Sequence, residues 1–228
     1  MEATNLAELD DAMRHRMEMY ALLARLYREE VDGDLLQMLQ EGGVTVSGDA
    51  SLDEGLYLMR RYLASSDAST LDLAKDYAKV FCGAASTNKT AAYPYESVFT
   101  SEKGLLMQEA RDEVLAWYHR YGLGRSERYH ECEDHVALEF EFFAFLIGKY
   151  LDASASGQAA SAEQLLAAQR DFMQGHLVNW VPAFCRHVNL RAKTDFYRGL
   201  AQLTAAYVKR DFAALKETAG AFASAERC

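Results

Sequence analysis

The stretch YHECEDHVALEFEFFAFLIGKY, Tyr129 to Tyr150, sets Glu131, Glu133, Asp134, His135, Glu139 and Glu141 around one of the most apolar runs in the chain. From Val136 onward, Phe140, Phe143, Ile147 and Tyr150 recur at helical spacing on one stripe, and Leu138, Phe142, Phe145 and Leu146 fill others. A helix that is apolar nearly all round belongs at the centre of a fold, so this segment predicts a buried central helix. Glu133 and Asp134 then fall in its first turn, where carboxylates accept exposed N–H groups and oppose the helix dipole. Glu139 and Glu141, inside the apolar run, are the anomaly.

Helical period continues outward in both directions. Leu6, Leu9, Met13, Met17, Tyr20, Ala24 and Tyr27 form one stripe, with Thr4 or Asn5 as its cap. Leu106, Ala110, Val114, Trp117 and Tyr121 form another within SEKGLLMQEARDEVLAWYHRYGLG, with Ser101 as N-cap and Gly122 or Gly124 as the stop. Shorter helices cover LLQMLQ, SLDEGLYLMRRYLA and TLDLAKDYAKVFCG. Asp152 to Ala162, DASASGQAASA, reads as a loop by composition. The pattern through Leu166, Met173, Leu177, Trp180 and Phe184 is kinked or split by Pro182, which has no N–H to donate. TDFYRGLAQLTAAYVKR and DFAALKETAGAFA follow, with Thr194 and Asp211 placed to cap. Sustained β alternation is absent, as is any repeat at solenoid spacing. The expected fold is all-α, one multi-helix domain over residues 1–228, with possible lobes 1–122 and 131–228 joined by a polar hinge at 123–130.

A formal charge of −10 over 228 residues disfavours nucleic acid, whose binding rests on Lys and Arg neutralising phosphates, and favours a cationic partner. Cys82, Cys132, Cys185 and Cys228 form no CxxC pair, which fits a reducing compartment. The N-terminal residues are charged and periodic, unlike a secretory signal, and no uninterrupted apolar 18-mer follows, so a cytoplasmic chain without stable membrane insertion is expected. No GxSxG elbow, phosphate loop or dinucleotide-binding turn is present, and the paired Glu-x-x-His motifs of di-iron bundles are missing. His135 and Glu139 nevertheless share a helix face, so a small metal protein or enzyme using Glu131, Asp134, His135 and Glu139 stands as the alternative function.

A second distinctive stretch is AAYPYESVFTSEKG, Ala91 to Gly104, where Tyr93, Pro94, Tyr95 and Glu96 precede a helix start. Tyrosine faces stack on guanidinium, and carboxylates take its N–H groups in bidentate pairs. The acids around His135 would do the same, with Glu131 and Asp134 as the leading participants, and would hold His135 protonated.

In order along the chain, DYAKVFCG, YPYESVF, ECEDHVALEFEFFAFL and FMQGHLVNWVPAFC give a sequence that resembles the TorD/DmsD family of cytoplasmic molybdoenzyme chaperones, the redox enzyme maturation proteins. The third segment resembles the family's E-P-x-D-H signature, with Cys132 standing at the usual proline. The fourth resembles its H-L-x-x-W-x-x-x-F pattern, carried by His176 and Trp180, for which core packing is expected. The resemblance implies an all-helical, non-catalytic chaperone with no cofactor of its own. It also implies that the partners are the twin-arginine leader and the body of an immature molybdopterin-containing catalytic subunit, guarded until cofactor loading and before export. By position it implies a peptide-binding site of Tyr93, Pro94, Glu96, Ser97, Glu131, Asp134 and His135, to which the tyrosine chemistry adds Tyr95, and it allows a homodimer formed by domain exchange.

Overall fold

The computed structural model describes residues 3–42, 47–83, 91–124 and 131–225, without the side chains of 3–7 and 218–225. The described residues form ten α-helices and no strand: α1 (Ala3–Arg28), α2 (Gly33–Glu41), α3 (Ala50–Leu63), α4 (Thr70–Val80), α5 (Glu96–Thr100), α6 (Glu109–Arg120), α7 (Val136–Ala155), α8 (Ala159–Phe172), α9 (Val181–Arg191) and α10 (Asp195–Ala225). A π-helical turn, Met173–Leu177, separates α8 from α9. Among them no helix is long and apolar enough to cross a membrane.

The centre is where the apolar run placed it. Phe140, Phe143, Leu146 and Ile147 of α7 are fully enclosed and meet the α1 stripe of Met13, Tyr20, Ala24 and Tyr27. The Tyr20 ring stands edge-on to Phe143 with centroids 4.6 Å apart, and Tyr27 does the same to Phe184 of α9 at 5.3 Å. Offset and edge-on aromatic pairs add to the burial of their area. Polar ties cross the same core. Arg16 of α1 donates to both carboxylate oxygens of Asp211 in α10, at 2.5 and 2.9 Å, and the Tyr20 hydroxyl donates to Asp211 Oδ2 at 2.9 Å. Asp211 therefore works in the middle of one long α10 rather than capping a second helix. Thr194 does cap: its Oγ1 accepts the Tyr197 N–H at 3.4 Å. From α4, the buried carboxylate of Asp76 accepts the Lys193 and Thr194 N–H groups, anchoring the start of α10.

Three boundaries differ from the sequence reading. The helix expected from Ser101 begins only at Glu109, because 101–108 forms a separate loop after the short α5. The Ala/Ser-rich stretch from Asp152 is helical on both sides, broken only at 156–158 where Gly157 adopts φ +67. Alanine is a strong helix former, so composition misled there. Glu133 and Asp134 precede α7, whose N-cap is His135. The Pro182 break is as expected, with the proline in the first turn of α9, where an N–H has no intrahelical partner. The proposed hinge 123–130 lies for the most part outside the described residues, as do the side chains of Thr4 and Asn5.

α3 crosses α10 at backbone contact. A Cβ built on Gly55 would stand 2.6 Å from the Gly199 carbonyl oxygen, and one on Gly199 would stand 2.5 Å from that of Gly55. Glycine in a helix interior ordinarily costs about 1 kcal/mol relative to alanine. Here the sign inverts: Gly55→Ala and Gly199→Ala are each expected to destabilise by about 1 to 3 kcal/mol through overpacking, read as a lowered midpoint in thermal or urea unfolding. A stabilised variant would show that the helices are further apart.

Candidate functional site

The two stretches singled out in the sequence meet. The chain from Ala91 to Tyr95 runs extended, and Tyr95 pairs with His135 in an isolated antiparallel bridge. The Val136 N–H donates to the Pro94 carbonyl at 2.8 Å, and the Glu96 N–H donates to that of Asp134 at 3.0 Å. Asp134 then caps α5 from across the seam, its Oδ2 accepting the Ser97 N–H at 2.8 Å. The starts of α5 and α7 thus satisfy one another. Cys132 does not disrupt the turn, since its carbonyl accepts the His135 N–H at 3.1 Å.

Most of the expected site residues are enclosed. Pro94, Glu96, Ser97, Asp134 and His135 are buried, whereas Tyr93 is exposed and Tyr95 and Glu131 are half-buried. The Tyr95 hydroxyl donates to the Glu131 carboxylate, and its ring stands edge-on to His135 at 5.0 Å. Glu133, also buried, accepts from Arg111 Nε at 2.7 Å, and its carbonyl accepts from the Tyr118 hydroxyl at 3.0 Å.

His135 is not held protonated. Burial first, and the positive charge of Arg28 second, depress its pKa to about 3. The neutral ring is the form used, because Nδ1 accepts the Ala137 N–H at 3.1 Å as the cap of α7. A protonated nitrogen there would have nothing to accept with.

The two anomalous glutamates separate. Glu141 reaches the surface of α7 and pairs with Arg28. Glu139 is fully buried, and its Oε2 accepts the Trp180 Nε1–H at 3.0 Å. Burial, then the negative charges of Glu96 and Asp134, push its carboxyl well above the ordinary range. Beside it, Glu96 accepts from Asn179 Nδ2 at 2.9 Å and lies 2.9 Å from His176 Nδ1. The π-turn delivers these partners: its i→i−5 bond, Val178 N–H to Met173 carbonyl, inserts an extra residue before Trp180. His176 and Trp180 are buried as expected, but they are also hydrogen-bonding partners of two carboxyl groups. Sequence reasoning missed Asn179, Arg111 and Tyr118 in this assembly. Glu139, as a charge inside an apolar helix, was the available signal that polar partners had to face it.

Among the described residues, no group of His, Cys, Asp and Glu is arranged to hold a metal ion. His135 Nδ1 and Glu139 Oε2 are engaged with Ala137 and Trp180, so the alternative reading through Glu131, Asp134, His135 and Glu139 finds its central atoms turned to internal partners.

Comparisons with known proteins follow the same lines. The family model described as nitrate reductase delta subunit matches residues 47–186, which include both stretches. Chaperone protein TorD of Photobacterium profundum is 31% identical over 153 residues, 67% of this chain and 68% of that protein. Chaperone protein TorD of Vibrio parahaemolyticus is 28% identical over 209 residues, covering 88% of this chain and 94% of that one. A crystal structure from Archaeoglobus fulgidus, named for redox enzyme maturation, aligns over 85% of this chain and 93% of its own with a TM-score of 0.47 and 21% identity. The curated matches set the chain among chaperones rather than enzymes. It belongs to the TorD family, within the reach of the nitrate reductase delta subunit model.

The depressed His135 pKa has a definite sign. A base whose folded pKa lies below its ordinary value of 6.5 contributes stability that is present above that value and lost as pH falls towards about 3. Each unit corresponds to about 1.4 kcal/mol. His135→Asn keeps an acceptor at the cap and removes the titration. The difference in unfolding free energy between wild type and His135→Asn is expected to shift against wild type as pH is lowered from 7 to 4, measured by urea unfolding. A difference independent of pH would mean that His135 titrates normally.

Proposed function

We propose that this chain is a dedicated chaperone for the catalytic subunit of a molybdopterin-containing oxidoreductase. It binds that subunit's twin-arginine leader and body in the cytoplasm, holding them until cofactor insertion is complete and before export. The observation that carries this reading is the match to TorD chaperones along 88% of the chain.

The site residues divide into two layers in this reading. Tyr93, Tyr95 and Glu131 supply the contact surface: ring faces for a guanidinium and a carboxylate for its N–H groups. Glu131 is already oriented by the Tyr95 hydroxyl. Pro94, Glu96, Ser97, Asp134 and His135 hold that surface in place from within. Positive charge in a leader is then drawn by the acidic chain as a whole and fixed at Glu131, while the buried acids keep their internal partners.

The test is a titration of a synthetic leader carrying Arg-Arg, and its Lys-Lys counterpart, against wild type, Glu131→Gln and Asp134→Asn, with thermal melts alongside. Expected are tighter binding of Arg-Arg, weakening as salt rises, and a loss of about tenfold in Glu131→Gln, since a charge-assisted hydrogen bond is worth roughly 1.5 to 3 kcal/mol. Asp134→Asn keeps an acceptor for the Ser97 N–H, so it is expected to bind nearly as wild type. Absence of leader binding by the wild-type chain would end this reading.

A further inference from the structure

Among the charged side chains of α7, only Glu139 is fully enclosed, and its two oxygens are poorly served. Oε2 accepts the Trp180 Nε1–H at 3.0 Å, but that N–H lies closer to the His176 carbonyl, at 2.5 Å, which takes the larger share. Oε1 is buried with no hydrogen-bond partner among the described residues. As an anion, Glu139 would have part of one donor, where a buried carboxylate that keeps its charge gathers two or three. A charge buried with so little compensation is expensive, and a carboxyl group in that position takes up a proton instead.

The groups around it point the same way. Glu96 of α5 is its hydrogen-bonding neighbour, and Asp134, just before α7, adds a second carboxylate whose Oδ1 is buried without a partner among the described residues. Ionised carboxylates only accept, so Glu139 and Glu96 can bond one another only through a proton. Glu96 has a donor at each oxygen already: His176 Nδ1 of the π-turn lies 2.9 Å from Oε2, and Asn179 Nδ2 donates to Oε1 at 2.9 Å. The neighbouring arginines are engaged elsewhere, Arg111 of α6 with Glu133 and Asp112, and Arg28 of α1 with Glu141. Tyr118, which α6 also turns to these acids, donates its hydroxyl to the Glu133 carbonyl and is kept neutral by burial and by the charges beside it.

We infer that the folded protein holds one proton between Glu139 and Glu96, carried by Glu139 Oε1 and donated to the Glu96 carboxylate, as a clasp between α5 and α7 that opens as pH rises. Burial and the charges of Glu96 and Asp134, which push the Glu139 carboxyl well above its ordinary 4.5, act in the same direction. The clasp lies in the first turns of both helices, beside the Asp134–Ser97 bond. Loss of the proton sets three negative charges against one another at that seam. The sign of the pH dependence follows. The unfolded chain releases this proton near 4.5 and the folded chain keeps it, so stability falls as pH rises from there until the folded group also ionises. This is opposite in direction to the His135 dependence, and it stands without the leader-binding reading.

Urea unfolding of the full chain between pH 6 and pH 8, with Glu139→Gln alongside, tests the clasp. Glutamine keeps both bonds, its amide donating to Glu96 and its carbonyl accepting from Trp180, but it cannot titrate. The unfolding equilibrium constant of wild type is expected to rise relative to that of Glu139→Gln by on the order of tenfold per pH unit while the folded state keeps its proton. A ratio that does not change with pH, as a Glu139 ionised throughout would give, would overturn the inference. Infrared spectroscopy of wild type at pH 6, where ordinary carboxyl groups with pKa values of about 4 are ionised, should show the C=O band of a protonated carboxylic acid, absent from Glu139→Gln. A wild-type spectrum without that band would overturn the inference even if the glutamine variant failed to fold.

Discussion

The Asp134 carboxylate accepting the Ser97 N–H is the interaction on which the rest of this region depends. A fully buried carboxylate is costly unless donors surround it, and an N–H at the start of a short helix is equally costly without an acceptor. The bond satisfies the Ser97 N–H and Asp134 Oδ2, while Asp134 Oδ1 stays buried without a hydrogen-bond partner among the described residues; the shared bond is still the solution that both segments use. Because the two groups belong to segments far apart in sequence, the solution fixes the starts of α5 and α7 together, and the adjoining Pro94–Val136 and Tyr95–His135 contacts follow from it. From that seam α7 runs through the core, α5 leads into the loop 101–108, and Glu96 is placed against His176 and Asn179.

This arrangement changes what the acidic stretch means. Its negative charges are not one exposed patch. Asp134 and Glu139 are interior and hold backbone and indole N–H groups, Glu133 is tied to Arg111, Glu141 is tied to Arg28, and Glu131 reaches the surface under the direction of Tyr95. Truncating one partner of such a buried set leaves an uncompensated polar group, so substitutions there act on stability before they act on binding. The part of the two stretches left open to a partner is correspondingly narrow, with Tyr93 exposed and Tyr95 and Glu131 half-buried.

Much of the fold was legible because helical period is a local property. The stripe through Tyr20 and Tyr27 and the all-round apolarity of Phe140 to Tyr150 needed no tertiary information, and Pro182 marked its own break. Boundaries were less legible where two local preferences competed. Ser101 is a good cap in isolation, yet its hydroxyl serves the loop amide of Leu105, and α6 waits until Glu109. The site was half legible. That Glu96 and Asp134 matter was visible as charge beside apolar residues, but whether they face solvent or one another depends on a contact between segments. Composition cannot report that contact, and the inverted expectation for His135 came from the same gap: neighbouring acids suggested protonation, while burial and Arg28 dictate the reverse.

The central claim is that the acidic stretch is interior framework rather than an open receptor, and native-state hydrogen exchange at two amides tests it most directly. The N–H groups of Ser97 and Val136, bonded to Asp134 Oδ2 and the Pro94 carbonyl, should exchange only with global unfolding, at rates matching the buried amides of α7. Exchange of these two amides as fast as that of exposed loop positions would mean that the seam opens freely in the native state, leaving Asp134 and His135 accessible and contradicting the account.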